Sequence, residues 1–284
     1  MRSVPGRDGP PEPSAAEIAA FREAVYAEHR ERGRMLPWRE TRDPWSILVS
    51  ELMLQQTQVA RVVPKYEAWM RRWPDAASLA AASVAETLSA WSGLGYNRRA
   101  LALKAAASVI ALEHGGKVPE DAGALRDLPG IGAYTAGAIR AFAFGCPDVF
   151  LETNIRAALL HWFFPGREGV LDRELLPVAA LVLDASDART WYYALMDYGA
   201  ALKKLAPNPS RRSAHHAVQS RFEGSLRQAR GAIVRVLASS GALDATLLPD
   251  LVGMERERVE KALAALVAEG TVEYSLGAAR IREP

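Results

Sequence analysis

The sequence predicts a mostly α-helical protein of about two domains that ends in a small α+β module. Length is the first observation behind this: 284 residues exceed what one ordinary domain needs and allow a sizeable core. The second is periodicity. From Ser14 onward apolar residues recur at helical spacing, and no stretch before residue 270 alternates convincingly at period two. The third is the order of patterns near the end, where three helical stretches precede a short two-stranded one. Hydrophobic residues at 49% and charged residues at 24% exclude a disordered or fibrous chain. A single cysteine, Cys146, excludes an intramolecular disulfide, a zinc ribbon and a four-cysteine iron–sulfur cluster, and fits a reducing compartment. No apolar run is long enough to span a membrane and the start MRSVPGRDGPPEP has no signal-like stretch, so a soluble, cytoplasmic protein is expected.

The elements follow in order. Residues 1–13 hold four prolines and two glycines and read as a flexible tail, because burial cannot offset the ordering entropy of such a segment. Asp43-Pro44 reads as a helix start, with Asp as N-cap and Pro at the first helical position. That helix is expected to run through WSILVSELMLQQTQVARVV to Val63, with Glu51, Gln55 and Gln58 in one polar stripe and Leu48, Leu52, Val59 and Val63 in an apolar stripe beside it. Alanine-rich segments Ala76–Leu88 and Arg98–Leu112 are read as further helices. LPGIGAYTAGAIRAFAFG then places Pro129, Gly130 and Gly132 in a tight turn directly before a helix. Near residue 203 the charge shifts: from Lys203 to Arg235 eight basic residues face one acid, Glu223. The first part, KKLAPNPSRRSAHH, reads as a loop or linker. Helices are expected over Leu226–Ser239, Thr246–Val252 and Arg256–Glu269, the last with Val259, Leu263, Leu266 and Val267 on one face. Gly270 stops it, and TVEYSLGAARI turns back at Leu276-Gly277, an order that resembles a winged-helix module.

Several residues suggest chemistry. Glu51, between apolar flanks, is expected to be partly desolvated and so suited to hold a proton near neutral pH. The glycine turn and the helix start after it offer backbone N–H groups to an anion such as a nucleic-acid phosphate. Net charge is only +2, so a nucleic-acid role rests on local clusters such as Arg98-Arg99 and the run from Lys203. Tyr96, beside those two arginines in GLGYNRRA, suits a side chain wedged into a duplex while arginines hold phosphates. His215 and His216 are adjacent and point different ways, so no metal site is expected. Trp38, Trp45, Trp69, Trp73 and Trp91 read as core residues, and Cys146 as a small buried hydrophobe.

In this order and spacing, SELMLQQTQV, GLGYNRRA, LPGIGAYTAGAI and MDYGAAL resemble the helix-hairpin-helix (HhH-GPD) DNA glycosylases, and among them the MutY-type adenine glycosylases. The likeness covers residues 34–203. It implies an all-α two-lobed fold: residues 43–147 form a six-helix lobe with the hairpin, and residues 14–42 with 148–202 form the second lobe. A basic linker over 203–222 and a winged-helix-like domain over 223–284 complete the chain. The implied partner is double-stranded DNA carrying a damaged or mispaired base, bound by a nucleoid-associated monomer that flips the base into the cleft between lobes and hydrolyses its N-glycosidic bond. On matching positions Glu51 is the general acid. DNA contacts are implied at Gln55, Gln56, Tyr96, Arg98, Gly130, Gly132, Tyr134, Thr135 and Asn154, and the basic loop adds Lys203, Arg211 and Arg212.

Three departures limit what the resemblance implies. Lys203 stands where the family has the first of four cluster cysteines, so no iron–sulfur cluster and no other cofactor is expected, which leaves room for a monovalent cation at the hairpin. Nothing in the chain resembles the family's 8-oxoguanine recognition domain. LETNI replaces a segment like LDGNV, which puts Glu152 at the catalytic aspartate position, with Asp148 the nearest alternative. Tyr134 occupies the place of the Schiff-base lysine of strand-cleaving members such as endonuclease III, so a monofunctional hydrolase is expected. Adenine is the substrate the resemblance implies. A glycosylase for uracil, mismatched thymine or a modified pyrimidine, and a non-catalytic DNA-damage binder, both stay open.

Overall fold

The computed structural model describes residues 11–205, 207–216 and 221–283, so most of the expected tail and part of the expected linker lie outside the described residues. The helices are α1 (Ala15–Arg32), α2 (Pro44–Leu54), α3 (Val59–Arg72), α4 (Ala76–Ala81), α5 (Val84–Trp91), α6 (Arg98–Glu113) and α7 (Ala122–Asp127). They continue with α8 (Ala133–Ile139), α9 (Thr153–Phe163), α10 (Asp172–Val182), α11 (Ala188–Leu205), α12 (Leu226–Ser240), α13 (Leu248–Val252) and α14 (Arg256–Ala268). Strands β1 (Leu243–Asp244), β2 (Val272–Ser275) and β3 (Ala278–Ile281) form an antiparallel sheet of order β1-β3-β2. The chain divides into two compact units, Met1–Pro44 with Gly132–Val218, and Trp45–Ile131 with Gln219–Pro284.

In the first unit α1 opens on a capping box between Ser14 and Glu17 and buries Phe21 and Val25. Phe21 meets Trp162, Phe163 and Trp191 edge to face at 5.1–5.9 Å. Asp197 of α11 is buried, and it is paid with charge: Arg39 donates to both its oxygens at 2.8 and 3.0 Å, Arg34 Nε at 2.5 Å, and His29 Nδ1 lies 3.0 Å away. This knot ties α1 and the segment after it to α11. Helix α8 continues into a π turn over Arg140–Phe144 that Gly145 closes at φ 74°. Cys146 follows it half-buried, less enclosed than a core hydrophobe.

In the second unit α2 is almost wholly buried, and Trp69 packs edge to face on Trp73 at 4.5 Å and on Trp91 at 5.5 Å. The five expected core tryptophans are all buried. The C-terminal helices pack here too, α12 against α5 and α14. Residues 223–284, expected to form a separate domain, thus share a unit with the helices from Trp45 onward, and the unit boundary falls inside the hairpin at Ile131 and not near residue 147. Strands β2 and β3 form the expected hairpin. Leu276 and Gly277 both take positive φ, 51° and 81°, as a two-residue turn matched to strand twist requires. Strand β1, too short to alternate visibly, went unpredicted.

Three helices differ from expectation: the segment expected over Ala76–Leu88 is two, α4 and α5, parted where Ser83 caps a new helix start. The helix expected to reach Val63 ends at Leu54 and resumes at Val59, with Gln56 between them at φ 54°. Glu51, Gln55 and Gln58 therefore share no stripe. On α14 the inward face is Val259, Ala262 and Leu266, and Val267 is turned outward.

Candidate active site and DNA-contact residues

In the first unit the site grows from the start of α9. Glu152 is its N-cap: Oε1 accepts the backbone N–H groups of Asn154 at 2.6 Å and Ile155 at 2.8 Å. Asn154 Nδ2 donates to Oε2 at 3.3 Å, and Lys203 Nζ donates to Asn154 Oδ1 at 2.7 Å. The sequence allows this because α11 carries Gly199. A Cβ there would lie 2.0 Å from the Asn154 carbonyl oxygen, so only glycine lets α11 come this near. One turn further on, Lys203 reaches Asn154. Burial pushes the Glu152 carboxyl up from its ordinary value, against the downward pull of the Ile155 N–H, the Lys203 charge, the Asn154 N–H and Arg156. Burial likewise holds the Lys203 amine below its ordinary value, against Glu152.

Asp148, the alternative carboxylate, is engaged elsewhere. Arg140 Nε donates to its Oδ2 at 2.5 Å and Arg140 Nη2 to its Oδ1 at 3.3 Å. Tyr134 packs edge to face on Phe150 at 5.7 Å, and Thr135 is buried, so its side chain is not presented as the DNA contact expected of it. The basic loop is also corrected. Lys203 lies within α11 and is bound to Asn154, and Arg212 donates to the Leu160 and Phe164 carbonyls at 2.7 and 2.6 Å, closing the end of α9. Arg211 stays exposed.

In the second unit Glu51 is buried in the last turn of α2, at 5% exposure. Beyond it, Gln56 and Tyr96 are non-glycine residues in the left-handed region, at φ 54° and 50°, a conformation that costs about 1–2 kcal/mol. Arg99 explains why both persist. Its guanidinium donates to the Gln55 carbonyl at 2.5 Å and the Gly95 carbonyl at 3.0 Å, the groups directly preceding each strained residue. It also donates to the carbonyls of Leu52, Met53 and Leu94 and to the Thr57 hydroxyl. Arg99, grouped by sequence with the phosphate contacts, is therefore the fastener of the two loops that present Gln56 and Tyr96. Arg98 beside it is exposed and donates to Glu269 at 2.9 Å. Gly130 needs its glycine twice: φ is 78°, and a Cβ would lie 2.6 Å from that of Ala102. Around Gly132 no described side chain comes within 4 Å of a Cβ position, so its backbone lies open to a ligand.

Sequence reasoning missed Arg99, Asp197 and Gly199 as organisers. The signal for the last two was in MDYGAAL, where an aspartate on an apolar face demands buried cationic partners and a glycine inside a helix demands a close neighbour.

A hairpin of two helices around a glycine turn, with a carboxylate capping a helix beyond it, marks the helix-hairpin-helix class. Residues 49–190 match the model of the HhH-GPD superfamily base excision DNA repair proteins, and the chain belongs to that superfamily. It is 38% identical over 262 residues to the adenine DNA glycosylase of Mycolicibacterium smegmatis, covering 85% of this chain and 89% of that one. It is 34% identical over 193 residues to the thymine/uracil-DNA glycosylase of Pyrobaculum aerophilum, covering 66% and 84%. The solved structure of a thermostable thymine-DNA glycosylase shares the fold, with TM-score 0.58 at 23% identity over 69% of this chain and 98% of that chain. The iron–sulfur cluster implied by the resemblance does not fit this donor set. Cys146 is the single thiol, and the amine of Lys203 is turned to Asn154.

Proposed function

We propose that this DNA N-glycosylase is monofunctional and releases mispaired adenine from duplex DNA, with no cofactor in the base-release step. The observation that carries the reading is the Glu152 carboxylate, held at the start of α9 by two backbone N–H groups and by Asn154. An anion fixed in that way can oppose the positive charge of an oxocarbenium-like sugar without reorganising. Glu51 gives its proton to the leaving base as the C1′–N bond breaks. Water then adds its hydroxyl to C1′, and its proton returns to the medium through a carboxylate. Gln56, Tyr96 and Arg98 in the second unit, with the hairpin backbone at Gly130 and Gly132, hold the duplex and the gap left by the flipped base. Gln55, Asn154 and Arg211 complete the contacts of this reading.

The match over most of the M. smegmatis adenine enzyme supports adenine. A second reading, a thymine or uracil substrate, is favoured by the glutamate at the aspartate position and by the P. aerophilum relative. Single-turnover base release from duplexes carrying adenine opposite guanine or 8-oxoguanine, and thymine or uracil opposite guanine, separates the two. Adenine release that disappears in Glu51→Gln is the expected result. Pyrimidine release instead reassigns the substrate, and tight binding without any release makes the protein a non-catalytic damage binder.

A further inference from the structure

Behind the Glu152 carboxylate the first unit holds a lysine that the proposed reaction does not use. Lys203 of α11 is half-buried, and among the described residues its one hydrogen bond is to Asn154 Oδ1, at 2.7 Å. A lysine near the end of a helix ordinarily keeps its ammonium in water, because burial costs an ion more than one neutral hydrogen bond returns. The neighbouring Lys204 is exposed in that way. Lys203 instead turns inward, one turn after Gly199 lets α11 lie against Asn154.

An ammonium can only donate, so the atom of the Asn154 amide that faces it must be Oδ1. The other amide atom, Nδ2, then faces Glu152 and donates to Oε2 at 3.3 Å, while Oε1 takes the backbone N–H groups of Asn154 and Ile155. With the amide turned the other way, two oxygens would meet at Glu152 and two sets of donors at Lys203. The lysine therefore decides which end of Asn154 the carboxylate meets. The surrounding charges single it out as well. Arg156 on α9 donates to both oxygens of Asp172 of α10, at 2.8 and 2.7 Å, and His215 Nε2 lies 4.0 Å from that same aspartate. The Tyr134 hydroxyl of α8 bears on Arg156, and Arg34 is committed to Asp197 while its charge opposes protonation of Lys203. Lys203 and Arg156 both act on Glu152, and of the two only Lys203 lacks a carboxylate partner among the described residues.

We propose that Lys203 is a positioning residue for base release: it orients the Asn154 amide toward Glu152 and stands one side chain behind the carboxylate as its counter-charge. The interposed amide matters, because a direct ion pair would turn the carboxylate toward the ammonium and away from the sugar. This role rests on the glycosylase reading above. It replaces the phosphate contact that the basic run from residue 203 suggests.

The test compares the full chain with Lys203→Met in single-turnover base release across pH, with duplex affinity measured alongside. Lys203→Met is expected to move the acid limb up by about one pH unit, because Glu152 loses its counter-charge. The plateau rate should fall about tenfold or more, because the amide is no longer oriented. Affinity for undamaged duplex and its salt dependence should not change. Lys203→Arg, which keeps charge and donors, is expected to bring the limb back toward the parent's. Lys203→Gln, which removes the charge and keeps a donor, should move the limb as Lys203→Met does, with a smaller fall in plateau, and it serves where Lys203→Met does not fold. A limb that stays in place in both neutral variants overturns the proposal. So does a loss confined to duplex affinity with a shallower salt slope, which would make Lys203 a phosphate contact. The Glu152 carboxyl is also titrated directly in the free protein, through the carboxyl-carbon NMR resonance that Glu152→Gln removes, and it should shift upward in Lys203→Met. That shift in a chain that releases no base counts against the glycosylase reading alone, and base release with neither shift counts against the Lys203 role alone.

Discussion

Glu152 carries one methylene more than the aspartate that the resemblance implies at its position, a length of about 1.5 Å. Its carboxylate caps the N–H groups of its own helix, where Asn154 and, behind it, Lys203 hold the second oxygen. Because burial raises the Glu152 carboxyl above its ordinary value, the folded protein holds that proton to higher pH than the unfolded chain does. The stability this contributes is complete below the unfolded carboxyl range and is lost as pH rises through the raised folded value. Base release needs the anion, so its rate is expected to rise over the same interval, and the acid limb of a single-turnover pH profile should sit above that of an ordinary glutamate. Glu152→Gln is expected to lower base release by about a hundredfold or more while raising the melting temperature at neutral pH. A loss of both activity and stability would instead make Glu152 a structural cap. At Tyr134 the prediction concerns the product: with no hairpin amine for a Schiff base, strand breaks should appear only after alkali. High-yield trapping of a protein–DNA adduct by borohydride would count against this, and loss of that adduct in Lys203→Met would pass the role to Lys203.

Among the elements, α11 does the most to organise the first unit. Gly199 sets its distance from α9, and Asp197 collects Arg34, Arg39 and His29. Gly199→Ala would drive a methyl group into the Asn154 carbonyl. It should reduce base release along with stability, because the helix start that holds Glu152 must shift. Normal base release in a well-folded Gly199→Ala protein would show that α9 can move without disturbing the site. Burial alone would raise the Asp197 carboxyl, but the Arg39 and Arg34 contacts outweigh it and hold it low. Its stabilisation is therefore present above the unfolded carboxyl range, near pH 4, and lost as pH falls through the depressed folded value. Asp197→Asn takes the buried anion from the partly buried Arg39 and Arg34 and should cost about 1–3 kcal/mol in denaturant unfolding at neutral pH, with a smaller difference from the parent in acid.

Across the whole molecule, the second unit is built from two stretches far apart in sequence. Helix α12 buries Ala229, Ala232, Ile233, Val234 and Leu237, and it packs on α5 as well as on its own module. Truncation at residue 221 should therefore lower the melting temperature of what remains, since each large apolar side chain so uncovered costs about 1.5–3 kcal/mol. A truncated chain that melts like the full one would show that the C-terminal helices fold apart from the rest, as their order in the sequence had suggested.

How much was legible in the sequence follows from the range of each interaction. Helical spacing, the glycine turn of the hairpin, the Leu276-Gly277 turn and the inward tryptophans are set by neighbours a few residues apart, and the sequence by itself determined them. The motifs SELMLQQTQV and LPGIGAYTAGAI likewise sufficed for the family and for Glu51, and LETNI for Glu152, as candidates. What only the tertiary structure decided depends on partners distant along the chain. Helix α2 stops at Leu54 in a segment with continuous helical character, because Arg99, more than forty residues on, bonds the carbonyls around the break. Lys203 and Arg212 looked like solvated phosphate contacts, yet α9 supplies them with oxygen partners inside the unit. A charged side chain has the same formula in a solvated loop and in a buried bond, and only the position of its acceptor in space distinguishes the two.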